Sequence, residues 1–416
     1  MALLNEHYLK LPAGRMEEEI ARKVSAFAVS HPKMRVINLS GDDGVLPLPP
    51  VAVEAMCQAA QEMGRADGCH GYSPLQGYAF LREAIVRGDF LPRGIHLDAS
   101  EVFVNDGASG DIANLQELLR WDNNIGVTDP VYPRYIDANA MIGRAGYYAD
   151  GRWSEVTYFA CEEANDFVPR QPERRVDMIY LCCPNNPTGA VIPKAELRKW
   201  VNFALRNDAI LFFDATYEAF ITDDSLPHSI YEIKGARKCA VEFRSYSKTA
   251  GFSGVRCGYT VIPRDLTATT LDGLTRVSLN QLWTRRLVSK SNGTSYISQR
   301  AAEALYTPEG QRQVRVDIDY YLENARLMAA RLRAMGYRVW GGVNAPYLWV
   351  GVPGNDTGWR YFDQLLYGCG VVCTPGVCYG HAGEGYFRLS AFALRADIIE
   401  AMERMEKVEG LATVGG

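Results

Sequence analysis

No stretch of 18 apolar residues occurs in the sequence, so no segment is expected to cross a membrane as a helix. The opening, MALLNEHYLKLPAGR, lacks the basic and then apolar regions of a secretory leader, and a cytoplasmic location is expected. Cys-x-x-Cys pairs and Cys/His groups at zinc spacing are missing, so no metal site is expected. Ten cysteines among 416 residues are too dilute for a disulfide scaffold. Cys182 and Cys183 stand side by side in an apolar run, where buried thiols are expected. Positive charge is not in excess either. The 44 Lys and Arg against 49 Asp and Glu give a net charge of -5, which excludes the basic footprint of a nucleic-acid polymer or an anionic membrane partner. What remains is 47% hydrophobic and 22% charged residues, the balance of an ordinary globular chain long enough for two or three domains.

Met16, Ile20, Val24 and Phe27 recur at helical spacing. The Pro-rich VLPLPP at 45–50 breaks the chain before a second helix expected at about 51–63. Between about 100 and 265, short apolar runs alternate with helical stretches such as PKAELRKWVNFALR. The runs are EVFVN (101–105), IGVTD (125–129), DMIYLCC (177–183), AILFFD (209–214), CAVEF (239–243) and RCGYTVI (256–262). Runs of that length without strict alternation suit strands buried on both faces of a mostly parallel sheet, so an α/β architecture is expected. After about 300 the texture changes. A long helix at 320–336, the segments YRVWGG, APYLWVGV and GYFRLSAF, and a last helix at about 394–407 imply a smaller α+β unit.

In an open α/β sheet, ligands sit beyond the carboxyl ends of the strands, and chemistry-bearing residues cluster there. The run after 239–243 offers Ser245, Ser247, Lys248 and Arg256 among glycines. A lysine forms a Schiff base with an aldehyde, and hydroxyls, guanidinium and free amides suit a phosphate dianion. Together these are the needs of pyridoxal phosphate; a solvated basic turn is the plainer alternative. Asp214 closes its strand with Tyr217 three residues on, suited to hold a pyridine nitrogen protonated and to bond a phenolate oxygen. Asn186, in PNNPTG, suits the same oxygen, though the segment also reads as a tight turn. Ala108 and Ser109 open a helix whose bare amides would cradle a phosphate. Tyr132 is placed to stack on a ring, and Arg388 to pair with a substrate α-carboxylate.

Asn186, Asp214, Lys248 and Arg256, in that order at strand ends, resemble the class I/II aminotransferases of pyridoxal-phosphate fold type I. NEHYLKLPAGR, VTDPVYPRYIDAN, IYLCCPNNPTGAV, VEFRSYSKTAGFSGVRC and GEGYFRLSAF are similar to LL-diaminopimelate aminotransferases, and the likeness covers nearly the whole chain. The resemblance implies a large cofactor domain at 48–298 and a smaller domain at 299–416, joined by an arm and helix at 1–47. It implies that Lys248 carries the cofactor and shuttles the α-proton. Asp214, Tyr217, Asn186, Ser245, Ser247, Arg256, Tyr132, Ala108 and Ser109 would hold the cofactor, and Arg388 and Asn186 the substrate. Tyr72, a further cofactor residue, and Asn292, a substrate residue, would reach across a homodimer.

The departures from that family fall on the substrate side. Ser40-Gly41-Asp42-Asp43 stands where the family has Gly-Ile-Gly-Asp, Arg15 where it has Tyr, and Leu75 where it has the Glu that grips the distal amine. Thr216 and His381 are further changes, and His70 is a new group nearby. Arg15 invites an anion and Asp42 a cation. A buried ammonium deprived of its carboxylate loses on the order of 3–5 kcal/mol. The expectation is therefore transamination of a different amino acid. The alternatives are elimination, replacement, cyclisation or carbon–carbon bond formation, for instance on S-adenosylmethionine or a guanidino amino acid, and authentic LL-diaminopimelate:2-oxoglutarate aminotransfer.

Overall fold

Seven short segments assemble into one sheet in the computed structural model, which describes residues 1–12, 16–354 and 356–408. They are β1 (Val102–Asn105), β2 (Ile125–Asp129), β3 (Val156–Ala160), β4 (Met178–Cys182), β5 (Ile210–Asp214), β6 (Ala240–Ser245) and β7 (Gly258–Val261). The order across the sheet is β1-β7-β6-β5-β4-β2-β3. Pairing is parallel except at β7, which runs against both β1 and β6. Each expected run holds a strand whose ends fall within two residues of it; IGVTD is strand throughout, and the strand begun in CAVEF runs on to Ser245.

β5 shows why the runs lack alternation. Leu211 and Phe213 enter one buried core cluster while Ile210 and Phe212 enter another, so both faces of the strand are covered. Burying each phenylalanine contributes about 1.5–3 kcal/mol. On one face lies α4, numbered with α1 (Met16–Ser30), α2 (Pro50–Met63) and α3 (Ala108–Leu115) before it; α4 spans Lys194–Asn207. It buries Leu197, Trp200, Val201 and Ala204, and Trp200 lies 4.8 Å from the ring of Phe159 on β3. β3 is a strand that the pattern of apolar runs does not separate. It is an edge strand with Tyr158 half-buried and Ala160 exposed, so no continuous apolar run marks it.

α5 (Pro308–Ala334) begins well before the expected 320. Its start is set by Thr307, whose side chain accepts from the Gly310 amide at 3.0 Å, and by Pro308 in the first turn. α5 leads to a second, antiparallel sheet of β8 (Val339–Gly341), β9 (Tyr347–Gly351), β10 (Thr374–Pro375) and β11 (Tyr386–Ser390), in the order β8-β9-β11-β10. α6 (Gly358–Cys369) and α7 (Arg395–Lys407) cover it. Ile20 and Phe27 of α1 share its core, and Ile37–Asn38 pairs in parallel with Val371–Val372. The N-terminal segment therefore packs on the C-terminal layer. The helix Tyr296–Ala304 runs through position 298 and packs on α2.

Asp111 ties α3 to β1 and β7. Its carboxylate accepts from Asn105 Nδ2 at 2.7 Å and from Thr260 Oγ1 at 2.7 Å, and burial pushes its pKa up to about 6 from 3.8. A raised acid pKa means the folded chain favours the protonated form. Stability from this group is thus greatest below about pH 4, falls towards pH 6, and stays low above. The expected result is that Asp111→Asn gains about 2–3 kcal/mol over wild type at pH 7. No such gain is expected at pH 4, and urea unfolding at the two values checks it.

Candidate active site

Because six strands share one direction, their carboxyl ends open on one edge of the sheet, and antiparallel β7 begins at that same edge. A cavity of about 750 Å³ lies there, lined among others by Ser109, Asn186, Asp214, Lys248, Arg256 and Arg388. One end of it is rich in donors. Gly107 caps α3 with φ +127°, a conformation suited to glycine, and a Cβ there would stand 2.7 Å from Arg256 Nη2. Ala108 and Ser109 then present the unbonded first amides of α3. Ser245 ends β6 and accepts from the Ser247 amide at 3.2 Å. Arg256 bends back with φ 62° and donates to the Ser253 carbonyl at 2.8 Å. Tyr132 lines the wall between these groups and the ends of β4 and β5.

Asp214, 8% exposed, ends β5 deep in the cavity. It accepts from Tyr135 Oη at 2.5 Å and from the Thr216 amide at 2.9 Å. Burial pushes its pKa up, and among the described residues it has no cationic partner. Thr216 thus meets the site through both its amide and its side chain, which hydrogen-bond Asp214. Tyr135 is a site residue that sequence reasoning missed. Its only signal was a second tyrosine in DPVYPRY, one residue after Arg134.

Asn186, Tyr217, Tyr347, Asp42 and Arg388 close a ring of polar contacts. Asn186 Nδ2 donates to Tyr217 Oη at 3.4 Å, and Tyr217 Oη meets Tyr347 Oη at 2.8 Å. Tyr347 Oη donates to Asp42 Oδ1 at 3.1 Å, Asp42 pairs with Arg388 at 2.6 Å, and Arg388 Nη1 returns to Asn186 Oδ1 at 2.8 Å. Asp42 was expected to face a cation of the substrate; the cation it meets is Arg388. Tyr347, on β9, was also missed as a site residue. Lys248 Nζ donates to the main-chain oxygen of Asp42 and lies 3.6 Å from Asp43 Oδ1. Its side chain is 13% exposed, and burial lowers its pKa, favouring the neutral amine.

Tyr72, Leu75 and Asn292 are not among the residues lining this cavity. Tyr72 is 85% exposed, and its loop packs against the one carrying Asn292, since a Cβ on Gly293 would stand 2.8 Å from the Ser73 oxygen. His70 lies 3.4 Å from Glu62 and against the Tyr296 ring, and His381 opens a turn near Asp129; neither lines the cavity. Arg15 lies outside the described residues.

Residues 35–404 match the profile of the family described as aminotransferase class I and II. The chain belongs to this family. It is a pyridoxal-phosphate-dependent transferase of fold type I, with an amino acid as its small-molecule substrate. This aminotransferase is 58% identical over 407 residues to the LL-diaminopimelate aminotransferase of Phocaeicola vulgatus, covering 98% of this chain and 99% of the relative. It is 54% identical over 407 residues to the enzyme of that name from Parabacteroides distasonis, at the same coverage. Among solved structures, L,L-diaminopimelate aminotransferase from Chlamydomonas reinhardtii superposes with a TM-score of 0.92 at 38% identity, covering 98% of this chain and 99% of that one. No described helix of the aminotransferase is long and apolar enough to cross a membrane.

The residues present fit the cofactor on physical grounds. A buried carboxylate without a cation among the described residues, a donor-lined cradle that a Cβ would fill, and a desolvated lysine lining the same cavity match its ring nitrogen, phosphate and aldehyde.

Proposed function

We propose that this aminotransferase takes LL-diaminopimelate as its amino donor and passes the amino group to 2-oxoglutarate. The observation that carries the reading is the 58% identity, over 98% of the chain, to a relative named for diaminopimelate. The substrate-side departures had favoured a different amino acid, and likeness on this scale outweighs them. Leu75 does not line this chain's own cavity; it lies three residues after Tyr72, on the loop assigned below to the partner's site. Elimination, replacement or ring closure would call for a second acid or base beside the reacting carbon. Neither His70 nor His381 lines this chain's cavity, whereas Asp42 and Asp43 do, so the preference for amino transfer rests on the likeness to the relatives.

In this reading the donor cradle of Ala108, Ser109, Ser245, Ser247 and Arg256 binds the phosphate, and Tyr132 packs on the ring. Asp214 keeps a proton on the ring nitrogen, with Tyr135 and the Thr216 amide holding its carboxylate in place. Asn186 and Tyr217 donate to the ring oxygen. Bound pyridoxal phosphate supplies an electron sink for the bond being broken. Lys248 would hold the cofactor covalently, and its Nζ would take and return the α-proton. Arg388 orients the amino acid by its α-carboxylate.

We also assign a homodimer, in which Tyr72 and Asn292 complete the partner's site. The exposure of Tyr72 and the packing of its loop against the 291–294 loop support a joint surface offered to a second copy. The large unit then spans 48–298 and the small one 1–47 with 299–416. The test is glutamate formation from LL-diaminopimelate and 2-oxoglutarate, run beside lysine, ornithine and arginine. The expected kcat/KM for diaminopimelate lies in the ordinary enzyme range, above roughly 10⁴ M⁻¹s⁻¹. Faster turnover of any of the other three would overturn the substrate assignment.

A further inference from the structure

Arg388 is held from three sides. Nη1 donates to Asn186, while Nη2 donates to the Ser40 carbonyl at 2.6 Å and pairs with Asp42 Oδ1 at 2.6 Å. Its guanidinium also lies 4.4 Å from the Tyr347 ring centre, and its side chain is 2% exposed. Nη2 carries two hydrogens, and both are taken. A second carboxylate therefore has no bidentate edge that includes Nη2 while Asp42 stays in place. Nε, meanwhile, is buried with no hydrogen-bond partner. The two members of the pair differ in freedom. Arg388 is enclosed, whereas the Asp42 side chain is 36% exposed and follows the half-buried Ser40 and Gly41.

We propose that Asp42 is a tethered carboxylate occupying the substrate-carboxylate position on Arg388, so that an incoming amino or oxo acid must displace it. The inference rests on the reading of Arg388 as carboxylate anchor. Asp42 sets specificity by competition: a ligand with one weakly held carboxylate does not dislodge it, and one with further anchoring groups does. In the cofactor-free chain Lys248 Nζ bonds the main-chain oxygen of the same residue.

Glutarate, which has no amino group and cannot react, is the probe, with its Kd measured by calorimetry on the holoenzyme. Asp42→Gly and the isosteric Asp42→Asn are each expected to tighten glutarate about tenfold or more, since the competing state is removed. Asp43→Asn is the control. It deletes the same charge one residue away, beside Lys248 but off Arg388, and is expected to change the Kd less than about threefold. An unchanged or weakened Kd in both Asp42 variants overturns the proposal. So does an equal tightening in Asp43→Asn, which would make the effect one of general charge. Glutarate binding needs no turnover, so the outcome for Asp42 is independent of whether diaminopimelate proves to be the substrate. A failure of the substrate reading shows separately, in the glutamate assay.

Discussion

Lys248→Ala is expected to lower kcat for amino transfer on the order of 10⁴-fold while leaving the chain folded. The magnitude reflects two losses at one atom. Nζ is the amine that binds the cofactor covalently, and it is the base that moves the α-proton. Burial lowers its pKa, which raises the share of neutral amine at physiological pH, and alanine has nothing to put in its place. Little stability depends on it. The Lys248 side chain meets the Asp42 carbonyl, Asp43 and, at 5.9 Å, the Phe392 ring, while the strand before it is held by Arg244, which pairs with Glu242 at 2.7 Å and Glu218 at 2.8 Å. Steady-state kinetics and the visible absorbance after dialysis check this. The variant should lose its covalently held chromophore and keep its circular dichroism. Retention of more than about 1% of wild-type kcat would remove Lys248 from the proton transfer.

The parts of this site that could be read in the sequence are those carried by short local segments. Ser245, Ser247, Lys248 and Arg256 fall within twelve consecutive residues, and Asp214 with Tyr217 within four. Parallel strands put their carboxyl ends on one edge, so a residue's position after an apolar run was enough to bring these segments together. The rest depended on contacts between distant segments. Tyr135 reaches Asp214 across 79 positions, and Tyr347 reaches Asp42 across 305. No periodicity encodes such a pairing. Asp42 illustrates the difference: a carboxylate in a glycine's place correctly implied a nearby cation, but only the folded chain identifies it as Arg388. The fold divides along the same line. β5 and β6 were legible because both faces are buried, whereas the edge position of β3 left it without a run.

Asp214→Asn should separate catalysis from stability, with opposite signs. In the cofactor-free chain Asp214 is a buried carboxylate bonded by Tyr135 and Thr216, with no cationic partner among the described residues, and its pKa is raised. The folded state then favours the protonated form, so ionisation costs stability as pH rises from about 3.8 through the higher folded value. The asparagine oxygen can take the Thr216 amide bonded at Oδ1, while its NH2, in the place of Oδ2, turns the second bond round and donates to Tyr135 Oη, and no charge is left to desolvate. The cofactor-free variant at pH 7 is therefore expected to unfold at a urea concentration equal to or above that of wild type. The cofactor reverses the balance. A protonated ring nitrogen gives the carboxylate its missing partner, and breaking a buried pair by removing one member costs about 3–5 kcal/mol. Since the ring acts as an electron sink only while that nitrogen holds its proton, the loss appears in the rate. The expected kcat/KM falls by roughly 10²–10⁴. A variant that keeps kcat/KM within tenfold of wild type, or unfolds at clearly lower urea without cofactor, would show that Asp214 serves the fold rather than the ring nitrogen.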